Sequence, residues 1–167
     1  MQLLKMTVFG FLSAMLLAGC AAMGGLAGGF QKPIVDTTVR IYEQSDSALP
    51  AENIQTVELP RLGLKLTISP FPTLTERDVQ SAEVYNTSGG KAIFLRFDPH
   101  GEIVLDELTT RTRGQYLVVM VNNHPVSAWL VDQRIINGQF LVEGEFTDEE
   151  AQKIVDDLSK LAKSNKQ

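Results

Sequence analysis

Acidic and histidine side chains at alternate positions are the first candidates for chemistry in this chain. Asp98, His100 and Glu102 are residue types that bind zinc or copper. The stretch also contains Pro99 and Gly101, which mark a junction between a strand and a helix, and such a junction directs the three side chains apart. We therefore interpret Asp98 as the N-cap of a helix and His100 as a solvated turn residue, and the sequence predicts no metal site.

A second group, His124, Ser127 and Asp132, supplies the residue types of a hydrolytic triad. The sequence around Ser127 contains neither a nucleophile elbow nor a glycine loop that would hold an oxyanion, and Ser127 falls within a predicted strand. Gly89-Gly90 likewise lacks the lysine and the following helix of a phosphate-binding loop. The sequence therefore predicts no catalytic residue, and we expect a protein that is not an enzyme and that uses no cofactor.

Cys20 is the only cysteine in the chain, and it follows a Leu-Ala-Gly tripeptide at the end of an apolar run that begins after Lys5. A basic residue, an apolar run and small residues before a cleavage point are typical of a secretory signal. A plain signal peptide, or a short anchor with an incidental cysteine, is the alternative. The position of the cysteine resembles the lipobox of bacterial lipoproteins, which implies a signal peptide over residues 1–19 and a lipid such as palmitate on Cys20.

Residues 20–32 connect that cysteine to the rest of the chain, and residues 21–31 contain four glycines and few polar residues. Such a composition is typical of a flexible tether. Ala21, in place of aspartate, fits the rule by which enteric lipoproteins are sorted to the outer membrane. The resemblance therefore implies a lipid-anchored protein of the bacterial cell envelope that faces the periplasm, with the outer membrane favoured where the organism has two membranes.

The charge balance argues against nucleic acid as a partner. Without the leader, which contains Lys5 and no acidic residue, 14 basic and 20 acidic side chains remain, a formal charge of −6. An acidic surface repels phosphate backbones, and no basic stripe with interleaved aromatic residues is present, so we expect no nucleic-acid binding. After Cys20 no apolar run approaches the ~20 residues that a membrane-spanning helix needs, so the lipid on Cys20 is the predicted membrane contact.

The elements that must position these residues begin with three short segments that resemble strands. They cover residues 37–43, 55–59 and 64–68, with a proline-containing turn at 60–63 between the last two. We therefore interpret residues 33–73 as a β-rich N-terminal extension. The sequence leaves open whether this extension completes the sheet of the domain that follows.

Residues 74–163 predict a domain of the order β-β-α-β-β-β-α. Glycine-containing residues 86–90 turn a strand at 79–85 into a strand at 91–98, and a helix follows from Asp98 to Gly114. The strand at 117–121 is apolar on both faces, which predicts a central, covered strand. An Asn-Gly dipeptide at 137–138 predicts a hairpin between strands at 126–131 and 140–146.

Thr147 and Glu150 have the spacing of a capping box, and they open a helix whose apolar stripe runs from Ala151 to Ala162. Residues 164–167 are predicted to fray. Together the elements predict an α+β fold, a single domain with an antiparallel-rich sheet and two helices packed on one face.

The candidate contacts for a partner are Asn122, Asn123 and His124 in a turn, and Trp129 in the strand that follows. The alternation along that strand places Trp129 on the sheet face opposite the helices. An exposed aromatic ring there would anchor a partner. The alternative is that the N-terminal extension covers Trp129, which would then have a core role.

Four stretches of the second half resemble a known family. The sequence reads YLVVMV at 116–121, SA at 127–128, IING at 135–138 and VEGEFTDEEA at 142–151. These motifs resemble the head subdomain of the first periplasmic domain of SecD, in the SecDF family, and the Gly-x-Phe-Thr-x-Glu-Glu-Ala phrase that begins at Gly144 is the most specific. The chain departs from the family pattern at Trp129, where the family has proline, and at Asn122-Asn123, where it has Asp-Gly.

SecD works as a membrane-embedded, proton-driven partner of the Sec translocon, and no membrane bundle or proton relay is recognisable in this sequence. The resemblance therefore implies a binding surface in the envelope and does not imply export activity itself. We expect a non-enzymatic envelope lipoprotein whose head-like domain binds a protein or an extended polypeptide segment, with envelope assembly or export as the setting. The alternative is a periplasmic carrier or sensor that holds a small ligand between residues 33–73 and the head.

Overall fold

Alternating apolar residues, helix caps and tight turns produce eight strands and two α-helices in residues 35–45 and 55–165, the part of the chain that the computed structural model describes. These residues belong to one compact unit, Lys32–Gln167. The strands are β1 (Val39–Glu43), β2 (Gln55–Leu59), β3 (Leu64–Ile68), β4 (Val79–Thr87), β5 (Gly90–Phe97), β6 (Tyr116–Val121), β7 (His124–Leu130) and β8 (Gln139–Phe146). The helices are α1 (Pro99–Arg111) and α2 (Asp148–Ser164).

All the named strand pairs are antiparallel. Sheet 1 has the order β1-β6-β7, sheet 2 has the order β4-β5-β8, and β2 pairs with β3 as a hairpin. One hydrophobic core joins both sheets and both helices; Leu95, Leu105, Leu117 and Leu158 are completely buried in it. The predicted α+β class with antiparallel strands and two helices is therefore confirmed, with the strands divided between sheets.

β6 is covered on both faces, as its apolar sequence predicts. Leu117 and Val119 point into the main core. Val118 and Met120 point the other way and pack with Tyr42 of β1 in a second, smaller core, whose other side is formed by the hairpin β2–β3. The residues of this hairpin in the second core are Val57, Leu59, Leu66 and Ile68. Sheet 1 therefore lies between the main core and the hairpin.

β1 shows that the N-terminal extension joins a sheet of the domain. It pairs with β6, with Val39 opposite Val121. On its other edge the Ile41 amide donates to the Leu74 carbonyl at 2.9 Å, and the Thr73 amide donates to the Ile41 carbonyl at 2.8 Å. Because both edges of β1 are hydrogen-bonded, this short strand is an integral part of the fold.

The predicted hairpin between β7 and β8 at the Asn-Gly dipeptide is wrong. Gly138 does adopt a positive φ of 62°, but β7 pairs with β6 in sheet 1 and β8 pairs with β5 in sheet 2. The intervening loop crosses α1, where Arg134 forms an ion pair with Asp106 and the Ile135 amide donates to Thr109 Oγ1 at 3.0 Å. Long-range burial of β8 against β5 therefore prevails over the local turn signal.

Both helices begin at the predicted caps. In α1 the Gly101 amide donates to Asp98 Oδ1 at 2.8 Å. In α2 the capping box is complete: the Glu150 amide donates to Thr147 Oγ1 at 3.2 Å, and the Thr147 amide donates to Glu150 Oε2 at 2.9 Å. α1 ends at Arg111, three residues before the expected glycine. α2 continues to Ser164, and residues 166–167 lie outside the described part.

Candidate binding cleft

An open cleft of about 500 Å³ lies where the tip of the hairpin β2–β3, the turn between β6 and β7, the end of β8 and the first turns of α2 meet. Eight of its fifteen lining residues are apolar and seven are polar or charged. The apolar lining includes Leu59, Leu62, Val121, Val126, Phe146 and Ile154. Because the cleft lies between the N-terminal extension and residues of the head, it has the location expected for the small-ligand alternative.

The β6–β7 turn consists of two asparagines with positive φ, 50° for Asn122 and 64° for Asn123. Consecutive left-handed residues form the turn type that suits a tight antiparallel hairpin, and asparagine tolerates this conformation better than most residues. Asn122 Oδ1 also accepts from the Thr38 amide at 2.9 Å, which ties the turn to the residue before β1. The two asparagines can therefore replace the family's Asp-Gly without loss of the turn.

The cleft brings together two of the four predicted contact residues. Asn122 and His124 line it, and the His124 side chain is exposed. Asn123 faces Arg40 instead, whose guanidinium donates to Asn123 Oδ1 at 3.4 Å, and Trp129 lies outside the lining. The role of all four residues as contacts for a partner stays a prediction.

The expected orientation of Trp129 is wrong. Trp129 pairs with Leu117 across sheet 1 and packs against the main core, where its ring forms an edge-to-face contact with Phe140, at 5.8 Å between centroids and 82° between planes. The hairpin β2–β3 covers the other face of sheet 1. Trp129 is therefore half-buried on the side of the helices: it has the core role of the second alternative, but it does not lie on the sheet face for which that role was predicted.

Two acidic side chains border the cleft. Glu145 Oε1 lies 3.5 Å from Arg61 Nε, and this pair links the end of β8 to the hairpin tip. Glu150 is held in the capping box, where the backbone amide and then the hydroxyl of Thr147 lower the pKa of its carboxyl. Both acids therefore already have a partner within the protein.

A buried hydrogen bond next to the cleft joins residues that are distant in sequence. Thr37 Oγ1 donates to Asp157 Oδ2 at 2.7 Å, and the Lys160 ammonium lies 3.2 Å from Asp157 Oδ1. Burial acts to raise the pKa of the Asp157 carboxyl, but the hydrogen bonds from Thr37 and Lys160, with the charges of Lys160 and Lys153, outweigh burial and lower it. Asp157 is not among the residues predicted from the sequence, although it is an acid that lies between Ile154, Leu158 and Leu161 on the apolar stripe of α2.

The candidate metal ligands are dispersed. Asp98 caps α1, Glu102 is exposed, and His100, whose side chain is 76 % exposed, lies 3.6 Å from Asp78. Within residues 35–45 and 55–165, no three metal-binding side chains of His, Cys, Asp or Glu cluster. In the same residues no hydrogen bond joins His124, Ser127 and Asp132. That the protein is not an enzyme stays a prediction.

No helix in the described part of the chain is long and apolar enough to cross a membrane. Cys20 and the tether lie outside the described residues. The lipid on Cys20, the signal peptide and the outer membrane therefore stay predictions.

Comparison with known proteins gives consistent matches. The family described as "SecDF, P1 head subdomain" matches residues 54–160, which include the hairpin β2–β3. The chain is 31% identical over 84 residues to the protein translocase subunit SecDF of Thermus thermophilus, and 27% identical over 78 residues to the protein translocase subunit SecD of Calditerrivibrio nitroreducens. These matches cover 50% and 47% of this chain but only 11% and 14% of the relatives.

Two solved structures have the same fold. One is described as SecDF in a super-membrane-facing form (TM-score 0.59, with 19% of that chain covered), and the other as a membrane component SecDF that enhances protein export (TM-score 0.58, with 63% covered). Each is 22% identical and covers 75% of this chain. The resemblance inferred from the sequence motifs is confirmed, because the matched family spans well over half of the chain: this chain belongs to the SecDF P1 head subdomain family.

Proposed function

We propose that this chain is a non-enzymatic binding module of the bacterial cell envelope, and that its cleft engages a protein or an extended polypeptide segment in the setting of protein export. The relatives support the setting, since they are named as protein translocase subunits and one solved neighbour is described as enhancing protein export. The chain spans about a tenth of the relatives' length. The proposal is therefore limited to binding by the head.

The observation that carries the proposal is the cleft itself. Its volume of about 500 Å³ is in the range of ligand sites, and its apolar lining is bordered by exposed polar side chains, among them Asn122 and His124. Leu62, at the hairpin tip, is 47% exposed and extends the apolar lining to the rim. An apolar floor with a polar rim suits the burial of one or two apolar side chains of a segment whose backbone stays hydrated.

The edge of β7 is a less suitable contact. Pro125 lacks a backbone N–H, and in an edge strand proline prevents pairing with an added strand at that position. We therefore place the contact on the side chains of the cleft and not on strand addition at its rim.

Site-specific photocrosslinking in intact cells tests the proposal. A photoreactive residue is placed at Leu62 and at His124, which line the cleft, and at Lys163, which is exposed near the end of α2 and outside the lining. We expect discrete crosslinked polypeptides from the two cleft positions and none from Lys163. Equal crosslinking from all three positions, or none from the cleft, would contradict binding there.

The membrane anchor is part of the proposal and has its own test. If Cys20 carries a lipid, intact-mass measurement of the protein from its native host shows loss of residues 1–19 and added acyl mass. Cys20→Ala then abolishes both changes. A wild-type mass without acyl groups would leave the plain signal peptide as the explanation.

A small-ligand carrier is the second candidate, because the cleft lies between the extension and the head and has the size of a small-molecule site. Native mass spectrometry of the purified protein distinguishes the two functions. A co-purified small molecule that is absent from Leu62→Arg would favour the carrier. A ligand-free protein that still crosslinks to polypeptides would favour the binding module.

A further inference from the structure

We infer that the Arg61–Glu145 ion pair makes the cleft indifferent to the charge of the segment that it holds, so that the ligand class is a short extended apolar segment with acidic, basic or neutral flanks. This inference rests on the proposed function and names the determinant of its specificity. It follows from where the pair lies, from the balance of the other charges and from the apolar lining.

The pair stands at the mouth of the cleft. Arg61 lies in the 3-10 turn at the tip of β2–β3, Glu145 lies one residue before the end of β8, and both line the cleft. The side chains are 48 % and 79 % exposed, with 3.5 Å between Arg61 Nε and Glu145 Oε1. A segment bound in the cleft therefore lies against a lining in which these two exposed, opposite charges are paired.

The other two formal charges of the lining also balance. Glu150 is held by Thr147 in the capping box. Lys153, three residues later on the same helix, has the opposite charge to Glu150. The charge of Lys153 also helps to lower the pKa of Asp157, which accepts hydrogen bonds from Thr37 and Lys160. With Arg61 and Glu145 paired, the lining has two basic and two acidic residues and no net charge.

Binding in such a cleft depends on apolar burial. Leu62, Val126, Phe146 and Ile154 supply the lining against which an apolar side chain packs. Burial of apolar surface is not directional and depends weakly on salt, whereas the attraction of an unbalanced surface charge falls as salt rises. The cleft therefore selects by the size and apolarity of side chains.

Peptide binding measured by fluorescence anisotropy tests the inference. Three labelled peptides share an apolar core and carry flanking aspartate, lysine or glutamine. We expect the wild-type protein to bind all three with affinities within about two-fold of one another, at low salt and at about 0.5 M salt. Glu145→Gln frees Arg61 and should bind the aspartate-flanked peptide about two- to five-fold more tightly than the lysine-flanked one at low salt.

Arg61→Gln frees Glu145 and should produce the opposite preference of similar size. Both preferences should disappear at about 0.5 M salt, because exposed charges are then screened. The control is the other ion pair of the same hairpin, Glu58 and Lys65, which are 2.9 Å apart and outside the cleft lining. Glu58→Gln and Lys65→Gln should bind the three peptides with affinities as similar to one another as those of the wild type.

The outcomes separate the two proposals. A wild-type protein that strongly prefers one flanking charge, or Glu145→Gln and Arg61→Gln variants that stay indifferent, would overturn the role of the pair while peptide binding itself stands. A wild-type protein that binds none of the peptides would overturn both the proposed function and this inference.

Discussion

At the scale of single residues, Gly144 sets the shape of the cleft wall. It is buried in β8, where the pairing with β5 shifts between Lys91 and Ala92. A Cβ atom at Gly144 would lie 2.6 Å from the Phe146 ring, which lines the cleft. The glycine of the family motif therefore permits the ring to fold back over the backbone.

Gly144→Ala should push the Phe146 ring out of its position. We expect the free energy of unfolding to fall by no more than about 1 kcal/mol, because the crowded atoms are the far end of a half-buried ring that can move, and peptide binding in the cleft to weaken. Urea unfolding and the anisotropy assay measure the two effects. The control is Gly89→Ala, where the nearest atom is at an ordinary 3.8 Å; equal stability of the two variants would contradict the packing argument.

The Thr37–Asp157 hydrogen bond should stabilise the fold in a pH-dependent way. Thr37→Val removes the donor and should cost about 1–3 kcal/mol near neutral pH, because a buried carboxylate loses a partner. The pKa of Asp157 is lowered from 3.8, so the stabilisation is complete above that value and is lost as pH falls through the lower pKa of the folded state.

Urea unfolding of the wild type and of Thr37→Val from pH 7 down to pH 2.5 measures this dependence. The difference in free energy of unfolding between the two proteins should shrink only below about pH 4. Thr110→Val, at an exposed position of α1, is the control and should show no such dependence. A difference that grows on acidification would have the wrong sign and contradict the assignment.

At the scale of elements, the first turn of α2 depends on its capping box. Both reciprocal hydrogen bonds between Thr147 and Glu150 are present, and the same turn borders the cleft through Glu150. A cap that fixes the start of this helix also fixes one wall of the cleft. Thr147→Ala tests this dependence.

We expect Thr147→Ala to lower the free energy of unfolding by about 1 kcal/mol. Amide hydrogen exchange should accelerate in the first turn of α2 and stay unchanged in α1. Thr110→Ala is the control, since alanine at an exposed helical position is neutral or slightly stabilising. Unchanged exchange at the start of α2 would show that tertiary packing alone holds the turn.

At the scale of the whole molecule, β1 of the N-terminal extension contributes to both cores. Val39 and Ile41 of β1 are buried in the main core, and Tyr42 is buried in the second. The family match begins at residue 54 and so leaves β1 outside. A chain that begins at residue 55 would expose the edge of β6 and lose the partner of Asp157.

We therefore expect residues 55–167 to show reduced far-UV ellipticity and no cooperative thermal transition. Residues 32–167 contain the whole compact unit and should melt cooperatively. The circular dichroism melting curves of the two fragments decide the matter. Equal cooperativity would show that residues 32–54, which include β1, are dispensable.

The sequence by itself determined the features that depend on neighbours along the chain. The caps at Asp98 and Thr147, the apolar stripe of α2 and the two-faced burial of β6 follow from short-range hydrogen bonds and from periodicity. The motif that begins at Gly144 also identified the family. These signals are local, so one sequence suffices to detect them.

Only the tertiary structure decided which strands meet and where the cleft lies. Strand partners are chosen by the burial of whole faces, so β8 joins β5 against the local hairpin signal, and β1 joins β6 across nearly half of the chain. The cleft consists of residues from four separate segments, and the Thr37–Asp157 bond spans 120 residues. Long-range contacts of this kind leave no periodic trace in the sequence, because each depends on packing that the distant partner completes.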